Sequence, residues 1–504
     1  MTLIILVIAL AAAGTVAAVQ TSRLQDAQAQ VSALEQQSAD DASQIADLQQ
    51  QLDQAATTDS PPGGLEDLLG GSGLEDLLGE GGLEDLFGEG GLEDLFGGGG
   101  LGDVLGGLGD APDIAGCTTD VVDLPDVSGT TLQQQFDQAS DAVQQLRGET
   151  FPQPITPTIK TDEEIRSFFA EEIADSYPAD TAEEDRRILA ALQAAPADID
   201  LVQTQIQLLG DQVAGYYDDE TRELVVRAAD ADEALGGVGL IVLAHELEHA
   251  LTDATVGLPD LDGFGADEDG AIAALSVVEG SAVALQTQFQ LSALDPLGLL
   301  SDPGALAGDQ GLDQVPYFLA QSLIFPYFVG PGYVCGLYSE GGWPAVDQAI
   351  ADPPTTTHAL MFPGTTTALQ PLPSLQGPQG YEAHDSRTFG AAPLSWLFGA
   401  PGQDQSQALA DPVAATQGWQ GGQLSLWTSG ENSAVALTLA GADLCEPVTQ
   451  WWQAASGGET GQVNGDEQLV QASDEGTWGV VSCAGQDIRV GIGPSPEVAR
   501  SAIA

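Results

Sequence analysis

The apolar run Gly239-Leu-Ile-Val-Leu-Ala-His-Glu-Leu-Glu-His-Ala-Leu251 predicts a buried α-helix that carries two histidines. Its centre reads His-Glu-x-x-His, from His245 to His249. Because residues four apart share one face of a helix, both imidazoles can reach one metal ion. Glu246 then lies beside that metal, where it can take a proton from water. The alternative is a surface helix with two unrelated histidines. The chain has only four histidines, and the apolar flanks argue against that alternative.

A catalytic metal site of this type needs a third protein ligand, and Glu279 is the favoured candidate. It follows the first helix after enough chain for a loop and a second helix, and it stands alone in an apolar segment. An isolated carboxylate in such a helix is unfavourable unless it is paired or binds a metal. The alternative is a carboxylate that faces water. Four acidic rivals occupy the Gly/Asp-rich turn before this helix and read as solvated charges: Asp262, Asp267, Glu268 and Asp269.

Three segments together resemble a family of bacterial zinc metallopeptidases of the gluzincin type. Such proteins pair a Gly-Tyr-Tyr-Asp strand with a Leu-Ala-His-Glu-x-x-His helix and a later Val-Glu-Gly-x-Ala helix. In this chain the three segments are residues 214–218, 243–253 and 278–282.

The resemblance implies a zinc-dependent peptidase. His245, His249 and Glu279 would hold Zn²⁺, and Glu246 would act as the general base in the hydrolysis of a peptide or protein substrate. The resemblance also implies a zincin-like fold in which a pair of helices follows a small sheet.

The chain departs from the family pattern close to the expected site. Ser281 stands where an aspartate is common, and His358-Ala359 follows a Pro-Pro-Thr-Thr-Thr run where the family has Glu-Gln. These departures leave a second function open, a catalytically inactive surface interaction protein that keeps a metal-binding, peptidase-like fold. The complete His-Glu-x-x-His with its base favours the active enzyme.

Other polar residues are candidates for supporting roles. Hydrolysis of an amide needs a donor to the developing oxyanion, and Tyr327 is the first candidate, followed by His358 and His384. Each of the three is otherwise a packing or surface residue. Asp253 lies four residues after His249 on the same helix face, where it can orient a ligand histidine. Its alternative role is a charge near the helix end.

The composition is strongly acidic. The 504 residues include 76 acidic and only 11 basic side chains, and the formal net charge is −65. Recognition of phosphates needs Lys and Arg, so this balance excludes a nucleic-acid-binding protein. Such a surface repels anionic partners and attracts basic peptides.

Residues 1–20 predict a membrane segment. Residues 3–19 carry no charge and lie at the short end of the span of about 17–25 residues that crosses a bilayer. We expect an uncleaved anchor because a helical stalk follows it, with a signal peptide cut near Ala17-Ala18 as the alternative. The expected location is the cell membrane, single-pass with the catalytic domain outside, or else secretion.

Two non-globular segments follow the membrane segment. Residues 21–56 carry an intermittent heptad seam and predict a coiled-coil-like stalk that can form a homo-oligomer, with a single helix as the alternative. Residues 57–112 repeat the acidic unit Gly-Leu-Glu-Asp-Leu. Because glycine at each end of a unit breaks a helix, the repeats predict a flexible spacer rather than an array that docks a partner.

The rest of the chain predicts an α+β protein in two folded parts. Residues 113–363 predict the mainly helical metallopeptidase domain with its small sheet, 364–380 a linker, and 381–504 a small α+β domain. Helices are predicted at residues 131–147, 162–176, 182–194 and 443–456. Strands are predicted at residues 212–217, 222–227, 423–427, 434–439, 467–471, 477–483 and 487–492.

Four cysteines, an even number, suit disulfides in an extracytoplasmic protein. Cys445 and Cys483 flank one small domain and are expected to pair there. Cys117 with Cys335 would then tie the start of the peptidase domain to its later helices. Buried free thiols are the alternative, and no spacing among the four indicates a metal site.

Overall fold

The computed structural model describes most of the chain beyond residue 113. The predicted membrane segment, stalk and repeat spacer lie outside the described residues. All of the described residues belong to one compact unit that contains Asp103–Ala504. The described ranges are 114–117, 131–213, 215–228, 234–293, 315–365, 367–384, 386–457, 460–464, 467–471 and 476–504.

The fold is α+β, with helices and a small sheet first and a large sheet last. The described residues form twelve α-helices: α1 Leu132–Arg147, α2 Asp162–Ser176, α3 Ala179–Ala191, α4 Leu201–Gln212, α5 Gly237–Thr255, α6 Glu268–Ala293, α7 Tyr317–Gly341, α8 Trp343–Ala351, α9 Thr357–Met361, α10 Ala391–Gly399, α11 Cys445–Ser456 and α12 Pro496–Ala502. Their strands are β1 Pro157–Lys160, β2 Gly215–Asp218, β3 Glu223–Arg227, β4 Glu382–Ala383, β5 Arg387–Thr388, β6 Trp419–Ser429, β7 Asn432–Gly441, β8 Thr460–Asn464, β9 Glu467–Gln471, β10 Trp478–Ala484 and β11 Asp487–Gly493.

Three long helices, α5, α6 and α7, form the core of the helical part. The crossing of α6 and α7 depends on Gly280 and Gly330, which face each other. A Cβ at Gly330 would lie 2.1 Å from the carbonyl oxygen of Ser276, and one at Gly280 would lie 2.5 Å from the backbone of Gly330. Only glycine lets the two backbones approach this closely, and the crossing fixes the part of α6 that carries Glu279.

Helices α6 and α7 are also long and apolar enough to cross a membrane by length and composition. Most of both helices is buried within the fold. Core helices of soluble proteins meet the same criteria, so this property is only a weak indication of membrane association.

The small sheet has the strand order β1-β3-β2. Strands β2 and β3 form the predicted hairpin, whose turn is closed by the N–H of Thr221, which donates to the Asp218 carboxylate at 2.9 Å. Strand β1 pairs with β3 in parallel and was not predicted. Strand β2 packs on α5, where Gly215 faces Val242 and Glu246.

The large sheet follows the order β4-β6-β7-β11-β10-β9-β8, with β5 also paired to β6, and its strand pairs are antiparallel. Its hairpin β6–β7 and strands β9, β10 and β11 agree with the sequence prediction. The short strands β4, β5 and β8 were not predicted. Helix α11 covers the sheet, and Gly479 leaves room for the ring of Trp452.

Two disulfides and several side chains join these parts. Cys117 is bonded to Cys335 on α7, and Cys445 on α11 is bonded to Cys483 on β10. Trp396 of α10 packs edge-on against Phe325 of α7. The described residues of 364–380 contain no helix or strand.

Local sequence signals such as helix caps predicted the position of several helices. The predicted helix 162–176 is observed as α2, opened by a capping box in which Thr161 and Glu164 exchange hydrogen bonds with each other's backbone N–H. The helix predicted at 182–194 begins three residues earlier, directly after Pro178. It also ends three residues earlier, before Gln193, which adopts a left-handed conformation. Helix α4 was not predicted.

Candidate metal centre

Helices α5 and α6 bring His245, His249 and Glu279 together. The Nε2 atom of His245 lies 3.1 Å from Oε2 of Glu279, and Nε2 of His249 lies 3.4 Å from the same oxygen. All three side chains are buried, with exposures of 1 % or less, and their ligand atoms lie within 4.8 Å of one another. The spacing of four on α5 places the two imidazoles on one face, as the motif predicts.

The separations suit one metal ion. Two atoms bound to a tetrahedral zinc at about 2.0–2.1 Å are about 3.3 Å apart. Four buried polar atoms at this point have no hydrogen-bond partner among the described residues: His249 Nε2, Glu279 Oε1, Glu246 Oε1 and Glu246 Oε2. Buried polar atoms in proteins are nearly always hydrogen-bonded. The convergence of these four unpaired atoms therefore indicates a group that can hold a metal ion.

The four acidic rivals of Glu279 are not part of this group. Asp267 accepts hydrogen bonds from Gly270 and Thr388, and Glu268 pairs with Arg387. Asp269 accepts from the backbone N–H and the hydroxyl of Thr357. Asp262 lies in a short 3₁₀ turn before α6. These residues shape the start of α6 rather than the metal centre.

Glu246 lies beside the triad and is itself buried. Burial raises the pKa of its carboxyl to about 8, against the opposing charge of His249 and the nearby backbone N–H of Tyr217. A carboxyl with a pKa near neutrality can both accept and return a proton at neutral pH.

Two of the three ligand candidates, His245 and Glu279, favour the protonation state in which they can bind a metal. Burial lowers the pKa of His245, which favours the neutral imidazole. At His249 burial also lowers the pKa, but the contact with Glu279 and the charges of Glu246 and Glu248 together outweigh burial, and the net shift is upward. Burial would raise the pKa of Glu279, but the charge of His249 and the close contacts with both imidazoles hold it at about 2. A bound metal would displace the proton that the upward shift favours on His249.

Two further side chains reach the triad. The amide oxygen of Gln286 lies 2.9 Å from Nδ1 of His245. The hydroxyl of Tyr327 forms a hydrogen bond with the Glu279 carboxylate, and burial raises the pKa of Tyr327 well above its ordinary value. Tyr327, the first oxyanion-donor candidate, is therefore at the centre. Gln286 was missed, although its spacing of seven from Glu279 places both on one helix face.

Asp253, His358 and His384 have partners elsewhere. Asp253 accepts a hydrogen bond from the Tyr217 hydroxyl at 2.8 Å and pairs with Arg222, so it ties α5 to the β2–β3 hairpin. The ring nitrogens of His358 contact Thr367 and the Gln417 carbonyl, and those of His384 contact Glu184 and Thr428. Neither histidine has a ring nitrogen left for an oxyanion.

A buried ion-pair network behind the centre was also missed. Glu248 is the second unspecified position of the His-Glu-x-x-His motif, and its Oε2 atom lies 3.0 Å from Nε of Arg147. Its other oxygen accepts from Thr252 at 2.9 Å and from Ser281 at 2.7 Å. An aspartate at 281 would face Glu248 directly, which gives a physical reason for the serine at this position.

Comparisons with protein-family models, with curated proteins and with solved structures found no match for the chain.

Proposed function

We propose that this chain is a zinc-dependent peptidase, tethered to a membrane by its N-terminal segment and acting outside it. The observation that carries the proposal is the convergence of His245, His249 and Glu279 beside Glu246, a buried carboxylate whose two oxygens have no hydrogen-bond partner among the described side chains. A helix pair that follows a small sheet supports a zincin-like arrangement.

The donor set favours zinc. Two imidazoles and one carboxylate, with a further coordination position open, are typical of catalytic zinc sites in peptidases. When bound, zinc supplies Lewis-acid chemistry, because it polarises a carbonyl oxygen and makes water more acidic.

The side chains of the protein supply the proton transfers. Glu246, beside the triad, takes a proton from water and returns it to the leaving amine. Tyr327 donates a hydrogen bond at the centre, where negative charge develops on the substrate oxygen. Burial of the whole group strengthens these interactions because the surroundings have a low dielectric constant.

The location outside the membrane rests on two features. Both disulfides suit an oxidising compartment. The apolar residues 3–19 are long enough for an anchor.

The test uses the purified full-length protein, its zinc content, and hydrolysis of unfolded casein and a mixture of fluorogenic peptides. We expect one zinc per chain, and we expect Glu246→Gln to keep the zinc and lose at least about 100-fold in hydrolysis. Glu340→Gln, which removes an exposed carboxylate from α7, is the matched control and should keep both. Zinc binding without hydrolysis by the wild-type protein would instead support the inactive metal-binding protein.

A further inference from the structure

Gln286 occupies an unusual place on α6. Its side chain is buried, with 1 % exposure, and its amide oxygen contacts Nδ1 of His245 at 2.9 Å. The amide nitrogen is also buried, and it has no hydrogen-bond partner among the described residues. The amide oxygen of Gln286 therefore makes a hydrogen bond, and its amide nitrogen makes none among the described residues.

The contact favours one of the two positions of the proton on the His245 ring. An amide oxygen is only an acceptor, so a hydrogen bond to it requires the proton on Nδ1. Without a metal, the Glu279 carboxylate, 3.1 Å from Nε2, competes as an acceptor for the ring proton, and a metal shared by Nε2 and Glu279 would remove this competition. The Nδ1–H form is the tautomer in which His245 can bind a metal through Nε2.

The unpaired amide nitrogen opposes folding. A buried donor without a partner costs about 1–3 kcal/mol, and an apolar side chain of similar size would avoid that penalty. Glutamine is thus not the most stable choice at this position for packing alone.

Gln288 on the same helix provides an internal comparison. It is buried to the same degree, and its amide nitrogen is also unpaired among the described residues. No hydrogen bond from Gln288 to either histidine is found there. Gln286 and Gln288 therefore differ in the contact with His245 and resemble each other in burial.

We propose that Gln286 is a positioning residue for the metal centre, one that holds His245 in the Nδ1–H tautomer. The inference rests on metal binding at this site, as proposed above. Because its acceptor is neutral, Gln286 fixes the tautomer without drawing the Nδ1 proton away as a carboxylate would. Glu279 then remains the one anionic ligand, and a bound metal keeps more of its positive charge.

The test measures zinc affinity by chelator competition, the visible spectrum of the Co²⁺-loaded protein, and the Tm of the metal-free protein, all on the full chain. For Gln286→Met we expect a Kd for zinc about 10–100-fold higher, a changed Co²⁺ spectrum, and a metal-free Tm no lower than that of the wild type. Gln286→Glu keeps an acceptor, so it should bind zinc at least as tightly as the wild type. Gln288→Met is the matched control and should leave both the Kd and the Co²⁺ spectrum unchanged.

Two results would overturn the role of Gln286. One is an unchanged Kd and Co²⁺ spectrum in Gln286→Met, and the other is an equal weakening in Gln288→Met. Zinc binding by the wild type without peptide hydrolysis would remove the proposed peptidase function but leave this test valid. Failure of the wild type to bind zinc would overturn both inferences.

Discussion

The hydroxyl of Ser281 donates a hydrogen bond to the Glu248 carboxylate at 2.7 Å, deep between α5 and α6. Each of these residues lies within two positions of a metal-ligand candidate. Arg147 of α1 holds the other oxygen of Glu248 and also pairs with Asp347. Helices α5 and α6 are thus fixed to each other and to α1 by a buried, charged network.

Glu248→Gln should destabilise the fold strongly. Among the described residues it leaves the buried Arg147 guanidinium with Asp347 as its remaining charged partner. Loss of one partner of a buried ion pair typically costs about 3–5 kcal/mol. Burial lowers the pKa of Arg147, but Glu248 and Asp347 together outweigh burial and raise the pKa, so the guanidinium stays charged. Unfolding in guanidinium chloride measures the change in free energy, with Glu340→Gln at an exposed position as the control. A loss below about 1 kcal/mol would contradict the role of this pair.

Ser281→Asp should also be unfavourable, because it brings a second carboxylate against Glu248. We expect a loss of about 2–3 kcal/mol. In the background of Glu248→Gln, which removes the facing charge, the same substitution should have a much smaller effect. A double-mutant cycle on unfolding free energies measures this coupling. Strict additivity would show that Ser281 and Glu248 do not interact.

Gly330→Ala should disturb the crossing of α6 and α7. Its new Cβ would lie 2.1 Å from the Ser276 carbonyl oxygen, and such overpacking costs about 1–3 kcal/mol or more. Gly336→Ala on the same helix is the matched control, since a Cβ there meets nothing within 4 Å. Gly336→Ala should raise the free energy of unfolding by about 0.5–1 kcal/mol, because alanine has a higher helix propensity than glycine. Thermal unfolding of both variants checks the opposite signs, and equal effects would contradict the close crossing.

Asp269→Asn should stabilise the protein near neutral pH. Burial raises the pKa of Asp269 from 3.8 to about 6, against the hydrogen bonds from Thr357, so the fold favours the protonated carboxyl. That contribution is complete below pH 3.8 and is lost as the pH rises through about 6. Two units of pKa correspond to about 3 kcal/mol, which sets the upper limit of the gain at pH 7.

The asparagine variant retains an acceptor for Thr357, so the pH dependence isolates the charge. The difference in unfolding free energy between Asp269→Asn and the wild type should grow between pH 4 and pH 7. A difference that is constant over this range would show that Asp269 is not buried as described.

Basic peptides should be the better substrates of the proposed peptidase. The net charge of −65 attracts cations at long range, and salt screens this attraction. We expect KM for a Lys/Arg-rich peptide to rise as the salt concentration increases from about 0.01 M to about 0.15 M, while the Debye length falls from about 30 Å to 8 Å. A neutral peptide with the same cleavage site is the control. Equal salt dependence of the two would argue against electrostatic attraction.

The parts of the molecule that could be predicted are those with local signals. His245 and His249 are four residues apart on one helix, so their common face follows from the sequence alone. Helix α2 has its capping box within four residues, Thr161 to Glu164. Both cases need no knowledge of distant parts of the chain.

The parts that could not be predicted depend on partners far apart in sequence. Strand β1 is only four residues long, and it forms by parallel pairing with β3, more than sixty residues later. Arg147 reaches Glu248 across about one hundred residues. Asp253 has the right spacing to orient His249, but the neighbouring hairpin supplies Tyr217 and Arg222 as its partners.

The most direct measurement is the zinc-binding isotherm of the full-length protein and of Glu279→Gln, with Asp269→Asn as the matched carboxylate control on the same helix. The predicted result is one zinc per chain for the wild type and for Asp269→Asn, and an affinity more than about 100-fold weaker for Glu279→Gln. Zinc binding that is unchanged in Glu279→Gln, or absent in the wild type, would contradict a metal centre built from His245, His249 and Glu279.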